Sequence, residues 1–505
     1  MKTLNILNKL NRGKRACALF ALYAATAMVV SGQTLTTLHS FDGTDGMDPL
    51  AGLIQATDGN LYGTTSDGGA GASGTVFKIT TGGTLTTIYN FCAQSGCTDG
   101  AAPQGALVQA ADGDFYGTTA EGGASDGGTV FKITPSGTLT TLYSFCSQSG
   151  CLDGQAPQAP LVLATNGDFY GTAHFGGVYI CSSTGCGTVF KITPGGTLTT
   201  LYTFCSQGSP DCPDGANPNG LIGAANGDLY GTTEFGGTGG RGGAGTVFKI
   251  TPGGTLTTLY SFCSQSKCAD GALPVAGLVQ GANGDFYGTT WQNGANRLCG
   301  ENCPQILGGT VFKIAPSGTL TTLYSFCDTP EGSGCPDGGS PADALVRATN
   351  GDFYGTTPGK GTIFKITSGG TLKTLEKFDF TDGAGPLAGL VQATNGIFYG
   401  TTQYGGANCA PTDGCGTVFS LSVGLGPFVE TQTTSGEVRA AVNILGTNLT
   451  GATGVTFNGT PAGFTVVSSS LIATTVPAGA STGKVEVAIA GSGTLSSNAP
   501  FRVLP

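Results

Sequence analysis

The chain has 505 residues, of which 89 are glycine and 10% are charged, with 31 Asp and Glu against 21 Lys and Arg for a net charge of −10. Five of the 21 bases fall within the first 15 residues, so the remainder carries 16 bases against 31 acids, near −15, and such a surface repels nucleic acid and anionic lipid alike. Glycine at this level would signal low complexity if it were not periodic, and here it is periodic.

Residues 1–32 read as a secretory signal peptide. Lys2, Lys9, Arg12, Lys14 and Arg15 precede the apolar stretch ACALFALYAATAMVV, which ends in small residues. Cleavage is expected after Gly32, and Cys17 stands at the wrong end of the apolar stretch for a lipoprotein site. No other window approaches the 18 or more apolar residues of a membrane span, so no transmembrane segment is expected in the mature chain.

From residue 33 the sequence is a tandem repeat. GT[VI]F begins at Gly74, Gly128, Gly187, Gly245, Gly309, Gly361 and Gly416, a spacing in the range of propeller blades. The third unit shows the plan: PLVLAT (160–165), DFYGTA (168–173), GTVFKI (187–192) and TLTTLYTF (197–204) are four strand-like pieces. NG joins the first two as a tight hairpin and TPGG joins the last two. In TLTTLYSF (138–145), period-2 alternation puts Leu139, Thr141, Tyr143 and Phe145 on one face and Thr140, Leu142 and Ser144 on the other. Both faces carry apolar atoms, as a sheet packed between two neighbours requires. The glycine inside DFYGTT is expected to serve close backbone approach near a crowded axis.

Four strands repeated seven times predict an all-β fold, a seven-bladed β-propeller over 33–421. A β-solenoid is the structural alternative, but its usual coil is about half this length or less. The seventh unit ends at GTVFSL (416–421) with no outer strand, whereas TLTTLHSF (34–41) is an outer strand with no unit. The N-terminal strand is therefore expected to close the ring and cover the edge.

DGxxP recurs seven times, from Asp45 to Pro49 through Asp382 to Pro386. The ring of carboxylates could suggest calcium, but no DxDxDG loop occurs, and Asp before Gly is ordinary turn chemistry. Sixteen cysteines form eight local pairs: Cys92/Cys97, Cys146/Cys151, Cys181/Cys186, Cys205/Cys212, Cys263/Cys268, Cys299/Cys303, Cys327/Cys335 and Cys409/Cys415. Even numbers at short spacing behind a signal peptide read as disulfides. Zinc is the competitor, disfavoured because no pair has CxxC spacing and the chain has two histidines, so neither metal nor cofactor is expected. Each bond staples inserted loop length, and for a ring of about six residues the chain-entropy estimate is roughly 2 kcal/mol.

Every pair falls either between blades or between the second and third strands, connections that emerge on one side of an up-and-down sheet. That face is elaborated and cross-linked, while the other carries only short turns. On it, the position after GT[TA] varies most: Ser66, Ala120, His174, Glu234, Trp291, Pro358 and Gln403, with Phe175, Phe235 and Tyr404 following three of them. The candidate ligand-binding residues are accordingly Trp291, His174, Glu234, Gln403, Phe175, Phe235 and Tyr404. Ordinary drift between repeats is the competing explanation.

The strings NGDFYGTT, GTVFKITPGGTLTTLYSF and DGxxP resemble the GloVer glycine-rich tandem repeat of bacterial extracellular proteins, over about 34–421. The strand plan is similar to that of NHL-type propellers at the level of pattern. Neither resemblance supplies catalytic residues. After the linker 422–427, residues 428–505 alternate apolar and polar positions over the length of one β-sandwich. Ile444, Gly446, Asn448, Val455, Phe457, Gly459, Val476, Pro477 and Gly483 fall on a pattern that resembles IPT/TIG immunoglobulin-like domains. Some relatives of that family bind DNA, but Arg439, Lys484 and Arg502 make no basic patch, so a spacer or adhesive module is the expectation.

No HExxH, GxSxG or P-loop occurs, and no cysteine outside the pairs is available as a nucleophile beyond the leader. Glu121, Glu234 and His174 are the acids and base that a glycan lyase or hydrolase could use. The expected function is a secreted, non-enzymatic binding or adhesion protein, with extracellular polysaccharide or a surface protein as partner. A structural surface-layer or matrix role is the alternative.

Overall fold

The computed structural model describes residues 33–179, 181, 184–208, 211–224, 226–239, 243–295, 308–327, 335–408 and 414–504. The expected leader at 1–32 and Cys299, Cys303 and Cys409 lie outside the described residues. Among the described residues no helix is long and apolar enough to cross a membrane.

Seven four-stranded antiparallel sheets follow one another along the chain. Sheet 1 is typical, with strands Ile54–Gln55, Leu61–Thr65, Thr75–Ile79 and Leu85–Asn90 in that spatial order. Sheet 7 takes Val391–Gln392, Phe398–Thr402 and Thr417–Ser422 from one end of the chain and Thr34–Ser40 from the other. Thr34 pairs with Ser422 and Ser40 with Thr417, so the edge that GTVFSL would expose is paired.

Two of the strand expectations need correction. In most sheets the first strand pairs over two residues only, as at Val162–Leu163, because the chain turns at once into the NG hairpin. The outer strand does not alternate throughout: Phe131 pairs with Thr141 and Val130 with Tyr143, leaving Leu142 in a bulge. Its carbonyl then faces the next sheet, where Gly196 (φ +87°) of the TPGG turn approaches so closely that a Cβ would lie 2.6 Å from the Leu142 oxygen.

The glycine of FYGTT also has a different cause from the one expected. At Gly117 a Cβ would lie 2.6 Å from Phe131 Cζ and 2.9 Å from Leu107 Cδ2. Phe131 is its cross-strand partner, so the ring folds over the glycine and fills the same sheet's surface. The equivalent contact recurs in all seven sheets, down to Gly400 beneath Phe419 and Leu390.

Aromatic contacts join each sheet to the next. Phe91 meets Phe131 edge-on at 5.2 Å, Phe378 meets Phe419 at 5.0 Å, and Phe41 meets Phe77 at 5.3 Å. The last two link sheet 6 to sheet 7 and sheet 7 to sheet 1. Nearer the first strands, Tyr62 packs on Phe115 and Tyr116 on Phe169, each with centroids 4.2 Å apart. These rings are buried, so stability resides in seven similar interfaces rather than one central core.

Residues 428–504 form two four-stranded sheets and a parallel pair, Ser435–Glu437 with Arg502–Leu504, around one apolar core that includes Val442, Ile444, Val455, Phe457, Ile472, Val487 and Phe501. The connection at 422–427 is no free spacer, because Val423 and Leu425 pack on sheet 7 and the Phe428 amide donates to the Thr394 carbonyl at 2.9 Å. The C-terminal unit also reaches the sheets on either side of sheet 7: Ser470 Oγ donates to Thr57 O in the first hairpin turn of sheet 1 at 2.8 Å, and Asn498 Nδ2 donates to Arg347 O at the end of the first strand of sheet 6 at 2.9 Å. These contacts lie on the side opposite the cysteine-bearing loops.

Candidate functional site

The loop face is built on a repeated polar frame. At the end of the second strand, Thr119 Oγ1 lies 2.9 Å from Thr129 Oγ1, accepts from the Thr129 amide and donates to Glu121 O. Room for this threonine comes from the glycine of DGxxP, since a Cβ on Gly100 (φ +102°) would lie 2.5 Å from Thr119 Oγ1. The DGxxP aspartate completes the frame: Asp99 is buried and accepts from Tyr89 Oη at 2.8 Å and from the amides of Ala93 and Gln94. Every partner named there is local, so this carboxylate holds its own turn.

Sheet 3 departs from the frame. Ala173 occupies the threonine position, and Thr188 Oγ1 is buried without a hydrogen-bond partner among the described residues.

The next residue along is held by its backbone. The amides of Ser66, Ala120, His174, Trp291 and Gln403 donate to carbonyls in the DGxxP loop over 2.8–3.1 Å. The variable side chains are therefore presented from a fixed backbone. His174 and Glu234, on sheets 3 and 4, come together with Nε2 and Oε2 3.7 Å apart. The His174 ring lies edge-on to Phe175 at 4.6 Å, and Asn217 Nδ2 donates to the His174 carbonyl at 3.0 Å. Burial pushes the imidazole below its usual range and the Glu234 carboxyl above its own. Both groups are moved toward their neutral forms.

Trp291 stands half-buried at the same level on sheet 5, and Gln403 is half-buried on sheet 7. Phe235 and Tyr404 are 40% and 41% exposed. The structure therefore joins His174, Phe175 and Glu234 directly and sets Trp291 on the sheet beside Glu234. Gln403 and Tyr404 lie three sheets from Glu234.

The sequence reading missed Asp343. It takes the inner position where the other units have Ala51, Gly105, Ala159, Asn219, Ala276 and Ala388. Its carboxylate accepts from the Ala344 amide at 2.6 Å and from the Gly389 amide of sheet 7. Enclosure by protein pushes its pKa up to about 6. An acid at this position, where every other unit has an uncharged residue, was the available signal.

Six of the predicted cysteine pairs are bonded as spaced: Cys92–Cys97, Cys146–Cys151, Cys181–Cys186, Cys205–Cys212, Cys263–Cys268 and Cys327–Cys335. All flank this face. The expected pair Cys409/Cys415 is not among these six. Cys415 is disulfide-bonded, but Cys409, the partner assigned to it by spacing, lies outside the described residues. Cys415 stands one residue before GTVF, as Cys186 does in sheet 3. Its side chain is buried in the apolar core between sheets 7 and 1, with Phe41, Phe77 and Val418, and its carbonyl accepts from the Asp48 amide at 3.3 Å. The residue stands two positions before the third strand of sheet 7 and packs in the core beside that strand's Val418. Cys299/Cys303 falls wholly outside the described residues.

Among solved structures, a streptogramin B lyase is similar, with a TM-score of 0.50 and 15% identity over 78% of this chain and 98% of its own. Selenomethionine-substituted virginiamycin B lyase from Staphylococcus aureus gives a TM-score of 0.50 and 14% identity over 77% of this chain and 99% of its own. At such identity the likeness shows the propeller-like fold alone. No curated protein matches the sequence. The profile of the Gloeobacter/Verrucomicrobia repeat matches residues 23–238, 183–419 and 238–471, and the chain belongs to that repeat family.

Proposed function

We propose that this is a secreted binding protein whose seven sheets form a closed seven-bladed propeller, with an immunoglobulin-like C-terminal sandwich, and that the loop face holds an extracellular polysaccharide without turning it over. The observation that carries the reading is the contrast at the second-strand ends. A recurring backbone frame there presents a side chain that differs in every unit, including the chain's single tryptophan. An aromatic plate beside polar neighbours suits a sugar ring, with its apolar face and hydroxyl edges, and the acidic surface favours neutral over acidic glycans. The C-terminal unit makes its contacts from the opposite side, at Thr57 and Arg347, and so leaves the loop face uncovered.

A glycan array followed by calorimetry tests this. Trp291→Ala is expected to weaken binding of the strongest array ligand by about 1–3 kcal/mol. A blank array, or equal binding by the variant, removes the site. One observation favours a second reading: the His174–Glu234 pair, with both groups displaced toward neutrality, could move a proton on a bound ligand. Product formation that Glu234→Gln abolishes would establish an enzyme instead.

A further inference from the structure

Four cysteines assigned by sequence to two separate loops converge. Cys181 and Cys186 belong to the connection between the second and third strands of sheet 3, and Cys205 and Cys212 to the connection from sheet 3 to sheet 4. Their four sulfurs all lie within 4.8 Å of one another, and Cys181 Sγ is 3.3 Å from Cys212 Sγ, across the two disulfides. Cys186, Cys205 and Cys212 are buried among Tyr170, Val189, Phe204 and Leu229, while Cys181 is exposed. Among the described residues, no other group of His, Cys, Asp or Glu side chains is so disposed to hold a metal ion.

Thiolates bound to a tetrahedral zinc ion at about 2.3 Å stand about 3.8 Å from one another. Cys181 and Cys212 are already 3.3 Å apart and no cross-pair distance exceeds 4.8 Å, so the main movement needed is the parting of the bonded sulfurs. We propose that on reduction Cys181, Cys186, Cys205 and Cys212 become a tetrathiolate site for one divalent ion of zinc type. Each disulfide takes two electrons and two protons from a dithiol reductant, which leaves as its own disulfide. The ion then displaces the four thiol protons to solvent and forms four metal–sulfur bonds. Three buried ligands exclude water, and the exposed Cys181 gives the entry path. The site would clamp sheet 3 to the loop leading into sheet 4, next to His174: the Asn217 amide donates to Cys186 O at 2.8 Å while its side chain holds His174 O.

The test uses the full chain, reduced anaerobically with a phosphine and titrated with Co²⁺, then with Zn²⁺ as competitor. The expected result is one equivalent of cobalt showing the intense visible bands of a tetrahedral thiolate site, displaced by zinc. Replacing Cys181 and Cys212 together by Ser should weaken binding by more than about 100-fold, and replacing Cys92 and Cys97 should leave it unchanged. X-ray absorption on the wild-type zinc form should count four sulfurs, a measurement independent of how the variants fold. Absence of the bands, their survival without Cys181 and Cys212, or fewer than four sulfurs overturns the proposal. So does recovery of Cys181–Cys212 linked peptides with no bound metal, since the close approach would then serve disulfide exchange.

Discussion

Thr188 shows how strictly single residues are specified here. In the other sheets a threonine at the end of the second strand satisfies its counterpart, whereas Ala173 leaves Thr188 Oγ1 unpartnered among the described residues. Because Gly154 keeps the same open position that Gly100 keeps for Thr119, Ala173→Thr should fit and raise stability by about 1 kcal/mol in urea unfolding. Thr119→Ala should lower it by about 1–3 kcal/mol, since the buried Thr129 hydroxyl and amide lose their partner. Asp343 adds a pH dependence with a definite sign. Its folded pKa of about 6 exceeds the ordinary 3.8, so between these values the native state holds the proton longer than the unfolded chain does. The Asp343 contribution to stability should therefore fall as pH rises from about 4 to 6, by no more than about 3 kcal/mol, and Asp343→Ala should flatten the slope by that share. Melting temperatures across that window measure both.

At the scale of the strand, glycine and phenylalanine act as a pair. Gly117→Ala should cost about 1–3 kcal/mol, because the new methyl group meets Phe131 and Leu107 well inside contact distance, and the loss should appear in the urea midpoint. The four-strand plan was legible in the sequence because alternation and turn residues recur seven times, and repetition averages out local ambiguity. The bulge at Leu142 was not legible, since an apolar residue fits either face of a sheet packed on both sides. Nor was the reason for Gly117, because a glycine inside a strand does not say which neighbour needs the space. The convergence of Cys181, Cys186, Cys205 and Cys212 was hidden for another reason: local spacing pairs each cysteine within its own loop and carries no information about the loop beside it. The same limit hid the place of Cys415 in the core between sheets 7 and 1.

Across the whole molecule, the orphan strand at 34–40 was the informative feature, and its pairing with Thr417–Ser422 joins both ends of the repeat region in one sheet. Deleting residues 33–41 removes that strand and the Phe41–Phe77 contact with sheet 1, and should produce aggregation visible by light scattering with a lowered melting temperature. A monomer melting unchanged would contradict closure by this strand. The seating of the C-terminal unit left no mark in the sequence, because several of its contacts are to backbone carbonyls in or beside the hairpin turns. The proposed binding site lies on the loop face, away from these contacts, where the single tryptophan stands. Trp291 therefore reports on the proposed site without a label. Titrating the full chain with the strongest glycan-array ligand should change the tryptophan emission saturably, at the same midpoint as calorimetry. Heat of binding with no change in that emission would place the ligand elsewhere and contradict the account.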